Sequence, residues 1–284
     1  MSAFAARARA ERPPGEPRRI AYLYLLPGLA VFAAFVLVPL LHAAWISLFS
    51  WDGVTPGTWV GLANYKAVVS DPTLRAAFGH ALVLVAFYAL LPIAIGLLLA
   101  AALSRSRVRG LTALRTILFL PQVIALVVVA VMWRMIYQPT GWLGSFGFAL
   151  PAVGLIGTWV EYGLAMVLFT AGVQKIPQSL YDAARVDGAG PLREFFAVTL
   201  PGLRGELAVA LTLTTIAALR NFDLVYITTG GGPGTSTSVP AYEVYNRAFR
   251  GGDVGTAAAI GVTVALLIFV LVFLFNRVAE RQAA

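Results

Sequence analysis

The chain has 284 residues, of which 59% are hydrophobic and 12% are charged, and its formal net charge is +8 at pH 7. Soluble domains average about 45–50% apolar and about 25% charged residues, so this composition excludes a water-soluble globular protein and predicts one whose solvent is lipid. The basic residues lie between long apolar stretches and not along one face, so we expect no nucleic-acid partner. The chain has no cysteine, which excludes disulfides and thiolate metal sites. The histidines, His42 and His80, lie in different apolar segments, where we expect packing or hydrogen-bonding roles.

Six apolar segments are long enough for membrane helices, each of which needs roughly 20 apolar residues. The first, residues 20–49, contains Pro27 and Pro39, which predict a tilt or kink. It is too long for the apolar core of a signal peptide, so we expect a retained helix. The other segments are residues 76–103, 111–136, 153–173, 203–229 and 254–275. Arg220 and Asp223 interrupt the fifth segment, which leaves residues 207–219 as its uncharged core.

The distribution of Lys and Arg predicts the orientation in the membrane. Of the 21 basic residues, 15 lie on one side of the predicted helices, in both tails and in two connections. We therefore expect a cytoplasmic N-terminal tail, residues 1–19, and a cytoplasmic C-terminal tail, residues 276–284. Residues 50–75 then form an external loop, whose Trp and Tyr residues suit a membrane interface.

The longest inner connection, residues 174–204, has a pattern of prolines and glycines that predicts two short helices. Pro177 and Pro191 each suit the start of a helix, Gly188 suits a left-handed stop, and Pro201 suits the end of the second helix. Periodicity alone is also compatible with a simple amphipathic connector at the membrane surface.

The residues of this connection closely resemble the EAA loop of binding-protein-dependent ABC importer permeases, in which E-A-A is followed by D-G-A, F and L-P. The matching positions are Asp182-Ala183-Ala184, Asp187-Gly188-Ala189, Phe195 or Phe196, and Leu200-Pro201. Asp182 stands where the family most often has Glu, so its charge is kept but its reach is one methylene shorter. Residues 24–28, 63–65, 118–121, 231–233 and 255–259 extend the resemblance to carbohydrate-uptake permeases, specifically the maltose-permease F type.

This resemblance implies an all-α membrane protein of the type I ABC importer permease fold, with an ABC transmembrane type-1 domain at residues 76–275. It implies that the EAA loop couples to a cytoplasmic ATPase through Asp182, Ala183, Ala184, Asp187, Gly188 and Ala189. It also implies these partners: a homologous second permease of the G type, two copies of the ATPase, and an extracytoplasmic solute-binding protein. ATP would bind to the partner, and this chain would carry no cofactor of its own. Neither lysine, Lys66 or Lys175, can complete a P-loop.

Glu161 lies within the fourth apolar segment, where an ionised carboxylate costs at least a few kcal/mol unless it is paired or hydrated. One interpretation is a structural hydrogen bond to Tyr162 or to a neighbouring helix, and the other is a place on the solute path. The resemblance to the maltose permease favours the path, with Trp159 and Val160 beside Glu161. On the fifth segment it implies Thr214, Ala217 and Ala218, and Asn221 suits a hydrogen bond to solute. We expect Arg220 and Asp223, three residues apart on one helix face, to neutralise each other.

Two function classes compete with the importer permease. In a secondary transporter, Glu161 would carry the coupling proton, although no inverted repeat supports this alternative. A membrane anchor without a transport path is the other. No Ser/His/Asp arrangement or metal cluster is evident, so we do not expect an enzyme. The solute stays open, since sugars, polyols and glycerol phosphates all suit related permeases.

Overall fold

The fold is described from a computed structural model, which covers residues 18–105, 110–138 and 140–281. Most of the predicted N-terminal tail, the end of the C-terminal tail and two arginines of the inner loops, Arg107 and Arg109, therefore lie outside the described residues. The chain divides into one unit that ends at Trp45 and a second unit that begins at Ile46.

The first unit consists of helix α1 and nearly all of helix α2, which a π-helical turn joins into one rod. The bounds are Arg18–Phe32 for α1, Ala33–Leu37 for the turn and Val38–Ile46 for α2. Its large apolar side chains are exposed within the unit, which is the pattern of a helix that meets lipid or another membrane chain.

The second unit begins with a short hairpin of β1 and β2, in which Phe49 pairs with Trp59 and Ser50 pairs with Thr58. Thirteen helices follow, apart from the π-helical and 3₁₀ turns, among the residues that the structure describes. The bounds are Phe49–Ser50 (β1), Thr58–Trp59 (β2), Ala63–Ser70 (α3), Pro72–Val85 (α4), Leu91–Arg105 (α5), Leu111–Val123 (α6), Leu126–Tyr137 (α7), Ala149–Val173 (α8), Gln178–Val186 (α9), Pro191–Glu194 (α10), Leu200–Gly202 (α11), Arg204–Leu219 (α12), Asp223–Thr228 (α13), Pro240–Tyr245 (α14) and Val254–Arg281 (α15).

Four helices in the described residues are long and apolar enough to cross a membrane: Tyr22–Ile46, Pro72–Leu103, Ala149–Val173 and Val254–Arg277. Two bent pairs bring the number to six if each pair is one span, and this agrees with the prediction of about six. The pairs are α6 with α7, bent by 92°, and Pro191–Gly202 with α12, bent by 71°.

Two of the predicted spans are not continuous helices. The third breaks after Val123, because Ile124 and Ala125 adopt extended backbone. The fifth ends at Leu219, and a separate short helix, α13, begins at Asp223. Hydropathy averages over such breaks, so a continuous apolar segment in the sequence does not distinguish one helix from two.

Two other spans begin earlier than predicted, and in both cases a proline occupies the first turn. Helix α4 starts at Pro72, with Asp71 as its N-cap, and the Asp71 side chain accepts a hydrogen bond from Thr73 N–H. Helix α8 starts at Ala149 and includes Pro151 in its first turn, where a missing N–H costs no hydrogen bond. Residues 72–75 of the predicted external loop consequently belong to helix α4.

Proline accounts for three of the π-helical turns. The residue that closes each turn donates its N–H to the carbonyl five positions earlier: Val38 to Ala33, Leu91 to Ala86 and Leu200 to Phe195. The next residue is a proline in all three cases: Pro39, Pro92 and Pro201. Proline cannot donate to the fourth preceding carbonyl and its ring crowds that group, so the helix widens by one residue and continues.

Helix α8 is the most buried of the long spans, with 67% of its apolar window inside the protein. Its small residues let neighbouring helices approach closely. A Cβ added at Gly154 would lie 2.5 Å from the Phe87 ring, and one added at Gly157 would lie 2.0 Å from the Tyr88 ring. Thr158 Oγ1 donates to Phe87 O at 2.7 Å, which fixes the register between the two helices.

An arginine ties together several elements at one end of the second unit. Arg247 lies 2.5 Å from Asp71, 3.8 Å from Asp253 and 3.9 Å from Glu243. Partial burial tends to raise the pKa of Asp71, but the Thr73 N–H and the Arg247 guanidinium outweigh it and hold that pKa below its ordinary value. The Asp71 carboxylate therefore stays charged and joins the start of α4 to the turn that follows α14.

The start of α15 packs directly against the hairpin, and this contact generates a first prediction. A Cβ at Gly255 would lie 2.0 Å from the carbonyl oxygen of Phe49, an atom of the backbone that cannot rotate away. We expect Gly255→Ala to destabilise the protein by about 1–3 kcal/mol, the usual cost of overpacking. Thermal unfolding of the purified protein in detergent measures the effect.

Gly261→Ala is the matched control, because it lies in the same helix and has no atom within 4 Å of an added Cβ. It should unfold at or above the wild-type temperature, since alanine favours helix more than glycine does. Equal unfolding temperatures for Gly255→Ala and the wild type would contradict the close packing at Phe49.

Candidate solute cavity and coupling loop

A cavity of about 340 Å³ lies between helix α8, helix α12 and the turn that follows α4. Its wall is mostly apolar, but four polar side chains also line it. The lining residues are Tyr88, Leu126, Val160, Glu161, Leu213, Ile216, Ala217, Arg220 and Asn221. A concave, largely apolar space with a few polar groups is the usual form of a small-molecule site.

The structure brings four of the seven predicted path residues to this cavity: Val160, Glu161, Ala217 and Asn221. The other three face the packed interior instead. The Trp159 ring contacts that of Trp133 edge-on, with a centroid separation of 5.6 Å. Thr214 is fully buried and donates to Ala210 O at 2.9 Å, and Ala218 belongs to the hydrophobic core. Trp159, Thr214 and Ala218 therefore pack behind the residues that line the cavity.

Glu161 is only 7% exposed, yet its carboxylate lines the cavity. Among the residues that the structure describes, none forms a hydrogen bond or ion pair with this carboxylate. The expected structural alternative, a hydrogen bond to Tyr162 or to a neighbouring helix, is thus not found there. An unpaired carboxylate is costly inside a membrane, and the space beside Glu161 is the cavity.

The end of helix α12 differs from the prediction. Arg220 and Asp223 do not lie on one helix face, because α12 ends at Leu219 and Asp223 begins α13. Arg220 and Asp223 do not form an ion pair with each other. Instead, Arg220 lines the cavity beside Asn221. Asn221 Nδ2 donates to the hydroxyl of Tyr88 at 2.9 Å, a contact between residues 133 positions apart that no local sequence signal predicts.

The predicted two-helix connection with a glycine corner is confirmed. Helix α9 spans Gln178–Val186, and Gly188 follows with a φ of +76°, the left-handed conformation that the pattern predicts. The second helical stretch runs from Pro191 to Gly202. It does not end at Pro201, because the preceding π turn absorbs that proline.

The residues of the predicted coupling motif lie together on the outside of this connection. Asp182, Ala183, Asp187 and Gly188 are exposed, whereas Ala184 and Ala189 are half-buried. Val186, at the end of α9, is 88% exposed. Small, acidic and apolar groups thus share one protruding surface, as a contact with another protein requires.

Sequence reasoning missed the side chains that hold this connection in shape. The Tyr181 hydroxyl lies 3.2 Å from Thr199 Oγ1. Arg185 pairs with the buried Glu194 at 3.4 Å and with Asp182 at 3.3 Å. The only signal in the sequence is the spacing of three between Asp182 and Arg185, which suits a pair on one helix face.

Within the described residues, no group of three or more His, Asp or Glu side chains is placed to hold a metal ion. The polar groups of the cavity are suited to hydrogen bonds with a transported molecule.

Comparison with known proteins identifies the family. Residues 92–283 match the family described as binding-protein-dependent transport system inner membrane components. The probable ABC transporter permease protein YurN of Bacillus subtilis is 35% identical over 89% of this chain and 93% of its own length. The trehalose/maltose transport system permease protein MalF of Thermococcus litoralis is 34% identical over 91% of both chains.

A solved structure agrees on the fold. A chain from the crystal structure of a bacterial ABC transporter involved in the import of the acidic polysaccharide alginate aligns with a TM-score of 0.77. The alignment covers 92% of this chain and 95% of that chain, at 22% sequence identity. The family match spans most of the chain and two full-length relatives exceed 30% identity, so the protein belongs to the binding-protein-dependent transport system inner membrane components: it is a multi-pass permease subunit of an ATP-binding-cassette importer, and not an enzyme.

Proposed function

We propose that this permease forms half of a membrane pathway for a sugar or a related polyhydroxylated solute. The observation that carries the proposal is the cavity of about 340 Å³, which Glu161 and Asn221 line. A carboxylate and an amide oxygen accept several hydroxyl donors. Relatives are named for transport of trehalose or maltose, of diacetylchitobiose and of sn-glycerol-3-phosphate, all of which carry hydroxyl groups.

We assign the solute path to Val160, Glu161, Ala217 and Asn221. Trp159, Thr214 and Ala218 belong to the same proposed wall, where they hold the lining residues in place. Glu161 and Asn221 contribute the polar contacts, and Val160 and Ala217 leave a smooth apolar surface between them. A path of this kind binds a hydroxylated solute without trapping it.

The coupling surface for an ATPase is assigned to Asp182, Ala183, Ala184, Asp187, Gly188 and Ala189. Its support is the protruding helix α9, which presents small and acidic side chains outward. The small residues permit close approach of a partner groove, and the acidic ones suit arginines there. ATP is bound by that partner, of which two copies serve the complex, and this chain needs no cofactor.

The remaining partners follow from the same proposal. A homologous G-type permease supplies the other half of the pathway, and an extracytoplasmic binding protein delivers the solute. The alginate transporter has also been crystallised with an alginate pentasaccharide-bound periplasmic protein. Both termini lie in the cytoplasm, since that arrangement leaves 15 of the 21 basic residues on the inner side.

The solute class can be tested with the assembled importer in vesicles. We expect ATP-dependent uptake of at least one solute from a panel of maltose, trehalose, diacetylchitobiose and sn-glycerol-3-phosphate. The adjacent binding protein should retain the same solute. Uptake that survives ATP depletion but stops with an uncoupler would instead support a secondary transporter that uses Glu161.

The role of Glu161 leads to a second prediction. Glu161→Gln should keep the fold, because it removes a costly buried charge and retains one acceptor oxygen. Uptake should fall by roughly tenfold or its solute preference should shift, because charge-assisted hydrogen bonds are about twice as strong as neutral ones. Unchanged kinetics and preference would remove Glu161 from the path. In that case the carboxylate would pair with a group of another subunit, and Glu161→Leu should lower the yield of the complex because it leaves that group unpaired.

The glycine corner of the coupling loop leads to a third prediction. Gly188→Val should impair solute-stimulated ATP hydrolysis but not membrane insertion, since a β-branched residue in the left-handed region costs on the order of 1–2 kcal/mol and shifts helix α9. Gly190→Val is the matched control. Both glycines have open space around an added Cβ, but Gly190 has a φ of −71°.

The backbone conformation is therefore the main difference between the two sites. Gly190→Val should retain stimulated hydrolysis. Normal stimulation in the Gly188→Val complex would argue against a coupling role for the corner.

A further inference from the structure

Tyr88 occupies a place in the cavity that neither the motifs nor the resemblance assigns. It is 3% exposed, lines the cavity and lies on the segment after α4, while Glu161 and Asn221 come from α8 and from the end of α12. The cavity therefore has a third polar wall, supplied by a separate helix.

The backbone explains why the Tyr88 side chain reaches the cavity. Tyr88 lies in the π-helical turn Ala86–Leu90, four residues before Pro92. Pro92 has no N–H to donate to the Tyr88 carbonyl, so the turn widens and changes the direction in which its side chains project. π turns of this kind are frequent at functional sites.

The ring of Tyr88 is also held firmly in one position. It lies over Gly157, where an added Cβ would be 2.0 Å from Tyr88 Cε2. Thr158, the next residue, donates to the carbonyl of Phe87 at 2.7 Å. The packing against Gly157 and this hydrogen bond, both made by helix α8, hold the Tyr88 ring and its backbone beside the cavity.

The hydrogen bonds of Tyr88 and Asn221 leave two groups unused. The Tyr88 oxygen accepts from Asn221 Nδ2 at 2.9 Å, and its own proton has no acceptor among the described residues. Asn221 is 3% exposed, and its Oδ1, which the surrounding side chains close off from solvent, has no hydrogen-bond partner in that part of the chain either. Buried polar groups without partners are rare and require an explanation.

We propose that Tyr88 is a solute-contacting residue, and that it recognises a pair of neighbouring hydroxyl groups together with Asn221. This inference rests on the proposed function. The Tyr88 hydroxyl donates to one solute oxygen, and Asn221 Oδ1, which is closed off in the empty cavity, accepts from the adjacent hydroxyl once the entering solute displaces the side chains around it. Their mutual hydrogen bond sets the spacing of the donor and the acceptor. A carboxylate or a dianionic phosphate has no hydrogen to give to Asn221 Oδ1, so the pair selects neutral diols.

The test compares Tyr88→Phe with the wild type in the assembled importer. The probes are the best-transported sugar of the panel, maltose or trehalose first, and its monodeoxy analogues. For the parent sugar we expect kcat/KM of uptake to fall about tenfold in Tyr88→Phe, which corresponds to the loss of one hydrogen bond to solute. One deoxy analogue, which lacks the contacted hydroxyl, should show little or no difference between the two proteins.

For each analogue, kcat/KM of the variant is divided by kcat/KM of the wild type. This ratio removes the contribution of the binding protein, which is the same in both assays. It also removes any difference in the amount of folded complex. A purely structural role for Tyr88 would therefore lower uptake of every analogue by the same factor, and that result, or no loss at all, would overturn the inference.

Two further variants complete the design. Tyr162→Phe makes the same substitution in helix α8 at a residue outside the cavity lining. Its kcat/KM should equal that of the wild type for the parent sugar and for every analogue. Asn221→Asp turns the amide donor into an acceptor for the Tyr88 proton, so it should likewise lower uptake of the parent sugar but not of the same deoxy analogue, and it replaces Tyr88→Phe if that complex does not assemble. If the wild type transports no solute of the panel, the proposed solute class fails, and the inference fails with it. Uptake of sn-glycerol-3-phosphate but of no sugar contradicts only the inference, which requires a neutral diol. Sugar uptake by the wild type with uniform ratios contradicts the inference alone.

Discussion

The constraint on which the rest of this structure depends is that lipid offers no hydrogen bonds to the backbone. Every peptide group inside the membrane must be satisfied by the protein or must face a polar space. The chain nevertheless contains prolines within its apolar segments. Two of them, Pro39 and Pro92, follow π-helical turns, in which the hydrogen-bond ladder shifts by one residue and continues. These two helices therefore widen without breaking, and their side chains change direction at defined points.

The same constraint explains where the cavity lies. The extended break before α7 and the end of α12 are both non-helical, and residues beside them, Leu126 and Asn221, line the cavity. The π turn with Tyr88 lies on a third side. Irregular backbone at membrane depth is tolerated where it is buried in protein or lines a polar space. Helix α8 completes the wall, since its glycines let the adjacent helix come close enough for Tyr88 to reach Asn221.

Much of the architecture was predictable from the sequence, because composition and local chemistry determine it. About six apolar spans and the left-handed Gly188 corner needed only hydropathy and the conformational freedom of glycine. Glu161 stood out because a charge is rare in an apolar segment. The early starts of α4 and α8 were missed, although Asp71 with Pro72 is a readable helix signal.

The features that were missed depend on contacts distant in sequence. The Tyr88–Asn221 hydrogen bond joins residues 133 positions apart, and nothing near either residue marks it. Arg185 and Glu194 come together only because Gly188 reverses the chain between them. The expected pairing of Arg220 with Asp223 was wrong for the complementary reason: a helical spacing implies a contact only if the helix continues, and α12 does not.

The coupling loop connects the two helices that carry the proposed solute contacts. Helix α8 ends at Val173 and α12 begins at Arg204, so the loop is the covalent link between Glu161 and Asn221. The two ends of this link are packed against each other. Lys175 pairs with Glu206 at 2.9 Å, and an added Cβ at Gly172 would lie 2.5 Å from Leu203.

Further along the loop, Arg185 pairs with the buried Glu194, and this ion pair holds helix α9 against the second helical stretch. Helix α9 is therefore connected to both α8 and α12. Since Glu161 and Asn221 lie on different helices, even a small relative displacement of these helices changes the distance between the groups that face the cavity. This geometry gives a physical route by which events at the coupling surface alter the solute site.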